Sequence, residues 1–341
     1  MLGEKEIKEI REHLERAKNP LFFYDDDHDG LASYLLLRRK YQKGKGICVK
    51  AALHNEEVYT KKINLYQPDK VFFLDRAILS QELLDNIEVP SVWIDHHQPV
   101  QRTNVHYYNP MAPEMKDNRP TSYWCYKVVE QDSWIAAVGI LGDWHVPDFY
   151  DEFEFKELFD GKKDVEELLY ESRLGLLVKV FNFAIKGKSS ETKKCVSLLL
   201  KIQSPYEILN QETPRGKYVY QRYEKMEVLY QKLLKQALKA DTKEDVFVFK
   251  YPSAKMSFTG EVSNELLYRL GKKKKLILIA REKGDNVRIS LRSKNVKVLL
   301  VLQKALEGVE GRGGGHEYAC GAHVRRGDFS LFVENLKKAV A

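Results

Sequence analysis

Three apolar runs in the first hundred residues each stop on an acid, and that pattern narrows the folds open to the chain. PLFFYD (20–25) runs into Asp25, Asp27 and Asp29; KVFFLD (70–75) stops at Asp75; SVWIDH (91–96) leads into Asp95, His96 and His97. ICVKAAL (47–53) is a further run of strand character. Helical periodicity fills the gaps over 30–43, with Leu31, Tyr34, Leu35 and Leu37 on one side, and over 79–87. Strands alternating with helices predict a parallel sheet covered by helices on both faces. All strand C-termini of such a sheet share one edge, and ligands bind in the crevice there. Acids tens of residues apart are therefore predicted to converge. A helical stretch over 121–143 ends in V-G-I-L-G-D-W and adds Asp143 to the set.

The densest part is Y-D-D-D-H-D-G at 24–30, in a chain of net charge +7. Carboxylates this close repel one another, and a divalent metal is the usual counter-charge. The bland alternative for this stretch alone is a solvated acidic turn. Acids at the ends of several strands together favour the metal. Carboxylates with imidazoles and no thiolate suit Mn²⁺ or Mg²⁺ and do not favour zinc. His28 falls at the alternate position, which faces either substrate or solvent, and solvent is the expectation.

At 341 residues, two domains are the default. The pattern changes after the first 150 residues. From 153 to about 240, stretches such as DVEELLYESRLGLLVKVFNFAI and YEKMEVLYQKLLKQALKA are helical without strand signal, and 151–240 reads as a helical connector. A second α/β pattern fills 241–341: strands at 246–251, 275–282 and 287–293, helices at 261–271, 296–307 and 329–340, and a glycine-rich turn at 313–315. This segment holds 20 Lys and Arg against 12 Asp and Glu, a surplus of +8, so residues 1–240 carry −1. Such a surplus suits a grip on an anionic polymer, with a merely soluble basic surface as the bland alternative. Lys272–Lys275 form a basic run that reads as a solvated loop, with a nucleic-acid backbone as the sharper alternative. Four scattered cysteines argue for reduced thiols in a cytoplasm, and no apolar run approaches the ~20 residues that span a bilayer.

D-x-D-G in the first loop, a lone Asp ending a later strand, D-H-H and G-x-x-D, in that order, resemble the DHH phosphoesterase superfamily. S-L-R-S (290–293), G-G-G-H-E-Y-A-C-G-A (313–322) and T-G-E-V-S-N-E-L-L (259–267) resemble the substrate-binding domain that accompanies it in RecJ-type exonucleases and oligoribonucleases. The resemblance implies a DHH catalytic domain over 1–150 and a smaller α/β substrate-binding domain over 241–341. It implies two Mn²⁺ or Mg²⁺ ions held by Asp27, Asp29, Asp75, His96 and Asp143, with Asp75 bridging them. His97 is then the group that orients the phosphate, and Asp95 an acceptor that fixes an imidazole. Many members carry a histidine four residues before the first Asp of D-x-D, where this chain has Phe23; RecJ-like members carry an acid two residues before it, here Asp25. Two ions about 3.5–4 Å apart activate water and clamp the oxygens of an in-line displacement at phosphorus. Arg292, with its planar fork, and His316 are the candidates for holding the scissile phosphate, beside backbone N–H groups bared by Gly313, Gly314 and Gly315.

The expected activity is hydrolysis of single-stranded DNA or RNA, as a RecJ-like exonuclease. The alternatives are an oligoribonuclease or small-nucleotide (pAp, cyclic dinucleotide) phosphodiesterase, and a weakly catalytic replication or repair scaffold. Replication or repair proteins are the expected protein partners, and no membrane is involved.

Overall fold

The computed structural model describes residues 2–49, 56–112, 116–252 and 257–340. It opens with α1 (Glu4–Arg16), β1 (Pro20–Asp25), α2 (His28–Tyr41), β2 (Lys45–Val49), α3 (Glu57–Tyr66), β3 (Lys70–Leu74), α4 (Gln81–Asp85), β4 (Ser91–Ile94) and β5 (His106–Tyr108). The next stretch carries α5 (Thr121–Val129), α6 (Ser133–Gly142), α7 (Val165–Glu171), α8 (Arg173–Ala184), α9 (Ser189–Leu199), α10 (Pro205–Leu209), α11 (Pro214–Lys239) and β6 (Val246–Tyr251). The chain ends with α12 (Thr259–Leu270), β7 (Leu276–Lys283), β8 (Asn286–Arg292), α13 (Val298–Ala305), β9 (Gly311–His316), β10 (Ala319–Arg325) and α14 (Phe329–Val340). Two compact units result, Met1–Tyr223 and Glu224–Ala341, the division falling within α11.

The first unit is built on a wholly parallel sheet of order β2-β1-β3-β4-β5. Its strands are near-continuous apolar runs because both faces are covered. Phe22, Tyr24, Phe72, Leu74, Val92 and Ile94 join the cluster under α2, α5 and α6. Their neighbours Leu21, Phe23, Val71, Phe73 and Trp93 join the opposite cluster under α3 and α4. Aromatic pairs lock adjacent strands on both sides, Phe22 on Phe72 at 5.0 Å and Phe23 on Phe73 at 5.6 Å. Each such ring contributes roughly 1.5–3 kcal/mol by burial. Helices α7 to α10, from the segment read as a connector, contribute Leu168, Leu177, Phe181, Cys195 and Ile208 to the same cluster as α2 and α6.

The second unit is a mixed sheet of order β6-β7-β8-β10-β9, with β6 and β7 parallel and the other pairs antiparallel. Helices α13 and α14 cover one face through Val301, Leu302, Phe332 and Leu336. Helix α12 packs on β7 and β8, where Ser263 and Ser290 share a 2.8 Å hydrogen bond.

The α/β class, the parallel first sheet and the separate second sheet follow the sequence reading. Several local features depart from it. The 121–143 stretch is two helices, because Glu130 and Asp132 adopt left-handed backbone (φ 51° and 58°) and turn the chain between α5 and α6. Ser172 likewise splits the 164–185 run, capping α8 by accepting from Gly175 N at 3.1 Å. The strand read at 47–53 begins at Lys45, and its part from 50 to 53 lies outside the described residues. In the lysine run, Lys274 is no solvated side chain. It is buried, donates to Glu244 O at 2.9 Å and pairs with Asp241 at 2.8 Å, stapling the approach to β6.

The glycine-rich turn is instead an edge strand. Gly313, Gly314 and Gly315 oppose Ala322, Gly321 and Cys320, and a two-residue turn at Glu317–Tyr318 closes the β9–β10 hairpin. A run of glycines has no side-chain alternation to announce a strand, so pairing with β10 decides the matter.

Candidate metal centre and anion-binding strand

The strand order reverses between β1 and β3, and the crevice of such a sheet opens beyond the C-terminal ends at that point. Asp25 ends β1, Asp27 and Asp29 come just after it, and Asp75 follows β3. Asp27 ends its approach as the N-cap of α2, accepting from Gly30 N at 2.9 Å. Gly30 permits this: a Cβ there would sit 2.7 Å from Asp25 N and 2.8 Å from Asp25 O, so only glycine lets α2 start against β1. Asp29 is buried in the first turn of α2, and its two oxygens accept from Thr121 N (2.9 Å) and Ser122 N (2.8 Å) at the start of α5. Asp75 adopts φ 57°, a costly backbone for a non-glycine residue, held by its N–H donating to Ile94 O at 2.9 Å. Asp143 caps α6, its N–H donating to Gly139 O at 3.1 Å.

His96 draws these acids together. Its Nε2 lies 3.5 Å from Asp75, 3.6 Å from Asp143 and 4.0 Å from Asp29. Its Nδ1 is 3.3 Å from Asn118 O, and a carbonyl can only accept, so Nδ1 carries the proton and Nε2 presents its lone pair to the carboxylates. Burial lowers the pKa of His96 and keeps the ring neutral in spite of Asp29. A lone pair facing carboxylates is unfavourable on its own and suits a cation between them.

The acids show the same strain. Burial, then Asp29 and Asp27, push Asp75 and Asp143 well above the ordinary carboxylate range. Burial likewise raises Asp29, outweighing His96 and its hydrogen bonds. Asp27 goes the other way: burial would raise it, but His28, Gly30 N and a hydrogen bond with Asp75 hold it low. The donor set therefore fits a hard divalent cation, with Asp27, Asp29, Asp75, His96 and Asp143 as the residues that would hold it. Asp75, His96 and His97 have donor atoms within 4.8 Å of one another.

His97 is engaged elsewhere. Its Nδ1 donates to Asp95 Oδ1 at 2.8 Å, and its backbone N–H to Asp95 Oδ2 at 3.1 Å. Burial would lower its pKa, but the Asp95 bond and charge, with Asp143 and Asp27, outweigh burial and raise it to about 9. Asp95 is fully buried and thus serves His97, not His96. Asn109 braces the pair, donating to His97 O at 2.9 Å and Asp95 at 3.3 Å.

Asn109 was not among the sequence candidates, because the three-residue β5 that leads into it is too short to show periodicity. Arg76 was missed too: it pairs with Asp25 and donates to Val49 O at 3.2 Å, so Asp25 already has a cationic partner. His28 does not face open solvent. Its half-buried ring lies where a Cβ on Gly142 would come within 2.5 Å, and its Nδ1 is buried without a hydrogen-bond partner among the described residues.

In the second unit, Ala319 pairs with Arg292 on one side and His316 on the other. The two candidates thus occupy one row across three strands, on one face and ~10 Å apart. Arg292 is oriented by Asn264 Oδ1, which accepts from its Nε at 2.6 Å, and by Leu291 O at 2.9 Å. Asn264 belongs to T-G-E-V-S-N-E-L-L, which explains why that helix matters to the strand opposite.

Gly313, Gly314 and Gly315 are exposed on the edge strand, whose outer peptide groups have no strand partner among the described residues. Gly315 has φ 143°, and a Cβ there would lie 2.5 Å from Ala319 O; around Gly314 nothing lies within 4 Å. Gly315→Ala is expected to cost ~1–3 kcal/mol and lower the melting temperature. Gly314→Ala should melt like the parent in the same calorimetric scan, and a shift as large as that of Gly315→Ala would contradict the open space seen here.

Residues 244–341 match the DHHA1 domain family. No curated protein matches the chain in sequence. Among solved structures, RecJ from Thermus thermophilus in complex with Mn²⁺ is similar at 17% identity and TM-score 0.71, over 99% of this chain and 55% of that one. The chain thus spans about half the length of that protein. A manganese-bound exonuclease RecJ is similar at 17% identity and TM-score 0.64, over 99% and 95% of the two chains. PggH, a pGpG-specific phosphodiesterase from Vibrio cholerae, is similar at 14% identity and TM-score 0.52, over 95% and 99%. At these identities the likeness is one of fold.

Proposed function

We propose that this chain, a DHH-family protein of RecJ-like fold with a DHHA1 domain at 244–341, is a divalent-metal-dependent phosphodiesterase that hydrolyses single-stranded nucleic acid as an exonuclease. The observation that carries the reading is the convergence of Asp29, Asp75 and Asp143 on the lone pair of His96. Two Mn²⁺ or Mg²⁺ ions at Asp27, Asp29, Asp75, His96 and Asp143 would neutralise that charge and activate a water.

The protein's own residues have separable tasks. The N–H groups of Thr121 and Ser122 fix Asp29, and Asn118 O fixes the tautomer of His96. His97, kept protonated by Asp95, presents positive charge to a phosphate whose negative charge grows during displacement. Arg292, His316 and the bared backbone of Gly313–Gly315 hold the substrate anion, and residues 241–341 grip the polymer.

The fold shared with PggH supports a second reading, a phosphodiesterase of small nucleotides. Substrate length separates the two. End-labelled single strands of DNA and RNA from 2 to about 20 nucleotides, with Mn²⁺, should be cleaved faster as they lengthen; a rate that falls with length sinks the polymer reading. Each phosphate neutralised on a single strand adds about −0.7 to the slope of log affinity on log salt. Binding by an Asp75→Ala protein should therefore fall steeply with salt and weaken on adding Arg292→Ala. A near-flat salt dependence favours the small substrate.

A further inference from the structure

A cavity of about 430 Å³ lies in the first unit along β2, away from the acids that follow β1 and β3. Strand β2 is the edge of its sheet, with β1 as its one neighbour among the described residues. The cavity runs along Gly44–Cys48, between α3 on one side and α9 on the other. Gly46 has the ring of Tyr34 packed where a Cβ would lie, 2.3 Å from its Cζ, so no side chain stands between the cavity and that ring.

Its charge is one-sided. Arg38, Lys45, Lys62 and Lys193 line it, and no Asp or Glu does. Arg38 is turned to Gly44 O at 3.0 Å, and Lys45 lies 4.3 Å over the Tyr66 ring. Neither Lys62 nor Lys193 pairs with a carboxylate among the described residues. Between the cations lie apolar patches from Ile47, Val58 and Val196.

An edge strand offers a row of peptide N–H and C=O groups that a second extended chain can pair with, ~3.3 Å per residue. Over the five residues of β2 that row is about 16 Å long. Peptide pairing supplies affinity, and alternate side chains supply specificity. A nucleic-acid backbone matches the cations but has no alternating donors and acceptors for the strand edge, nor apolar groups for the patches. We propose that this groove takes an extended acidic peptide from a partner protein, added as a strand beside β2 and carrying acidic and apolar residues on both of its faces, to meet Lys62 and Val58 of α3 on one side and Lys193 and Val196 of α9 on the other. The surface is independent of the phosphodiesterase reading.

The test uses the full chain and fluorescein-labelled decapeptides that repeat a pair of Glu or Asp followed by a pair drawn from Val, Leu, Ile or Phe, so that each face of the added strand carries both kinds. Binding is read by anisotropy, and strand addition by hydrogen exchange of the Lys45–Val49 amides. Members of this set should bind, slow exchange at β2, and lose about tenfold or more in affinity in the Lys62→Glu/Lys193→Glu double variant. Both lysines lie on helix surfaces, so the variant should keep the parent's melting temperature and strand-cleaving activity. Three results overturn the proposal: no member binding at about 1 mM, binding that leaves β2 exchange unchanged or ignores the charge reversals, or a single-stranded oligonucleotide protecting β2 where the peptides do not. The last assigns the groove to nucleic acid.

Discussion

Asp75→Ala should cut phosphodiester cleavage by about 10³-fold or more, beyond the 10²–10³ lost with a single transition-state donor. Asp75 sits between the aspartates after β1 and His96, in a backbone conformation that the sheet holds against its preference. Asp25→Ala should act through another quantity. Its carboxyl pairs with Arg76, whose side chain is only 11% exposed; burial pushes that carboxyl up to about 8 against the pull of Arg76, and removing it leaves the guanidinium without this partner at a cost of ~1–3 kcal/mol. The loss should appear as a lower melting temperature, with turnover within about tenfold of the parent at a temperature where the variant is folded. Parallel kcat and melting measurements decide the matter. If Asp25→Ala lost more turnover than Asp75→Ala while still folded, Asp25 would be a primary ligand and the assignment around Phe23 would be wrong.

Chelation should abolish activity, and Mn²⁺ should restore it while Zn²⁺ serves poorly. Stability should move with it, in a direction the buried acids fix. Asp29, Asp75 and Asp143 have folded pKa values raised above the ordinary 3.8, chiefly by burial. A raised carboxylate favours folding below 3.8 and loses that contribution as pH climbs through its folded value. The chelated protein should therefore melt lower at pH 8 than at pH 5.5, and Mn²⁺ should flatten the difference. At a hundredfold excess over its Kd, a bound ion adds ~2.7 kcal/mol, or about 5–10 °C for a unit of this size. Calorimetry across pH with and without Mn²⁺ reads both effects. Full activity in excess chelator, or a chelated protein that is more stable at pH 8, would defeat the metal-centre reading.

Much of this architecture was legible because it is written in periodicity. PLFFYD, KVFFLD and SVWIDH are buried on both faces, so they read as unbroken apolar runs, and the parallel sheet follows from the helices between them. Parallel strands in turn place Asp27, Asp29, Asp75 and His96 on one edge whatever their separation in sequence. The D-H-H and G-G-G-H motifs carried the likeness of the rest. What lacked a side-chain pattern was lost: the three residues of β5, the glycines of β9, and the breaks at Glu130–Asp132 and at Ser172, set by two left-handed residues and by a capping hydroxyl.

The fold class, the strands that end in acid and the placement of the whole positive surplus in the last hundred residues are thus readable from the order of residues alone. How each group is held depends on packing between distant segments. It is the start of α5 that grips Asp29, Asp95 that charges His97 and leaves His96 to Asn118, Arg76 that claims Asp25, and β10 that turns three glycines into an edge strand. The physical reason is one of range. Hydrophobic periodicity is a local record of burial, whereas hydrogen-bond partners and strand register are set by groups that meet only once distant segments have packed.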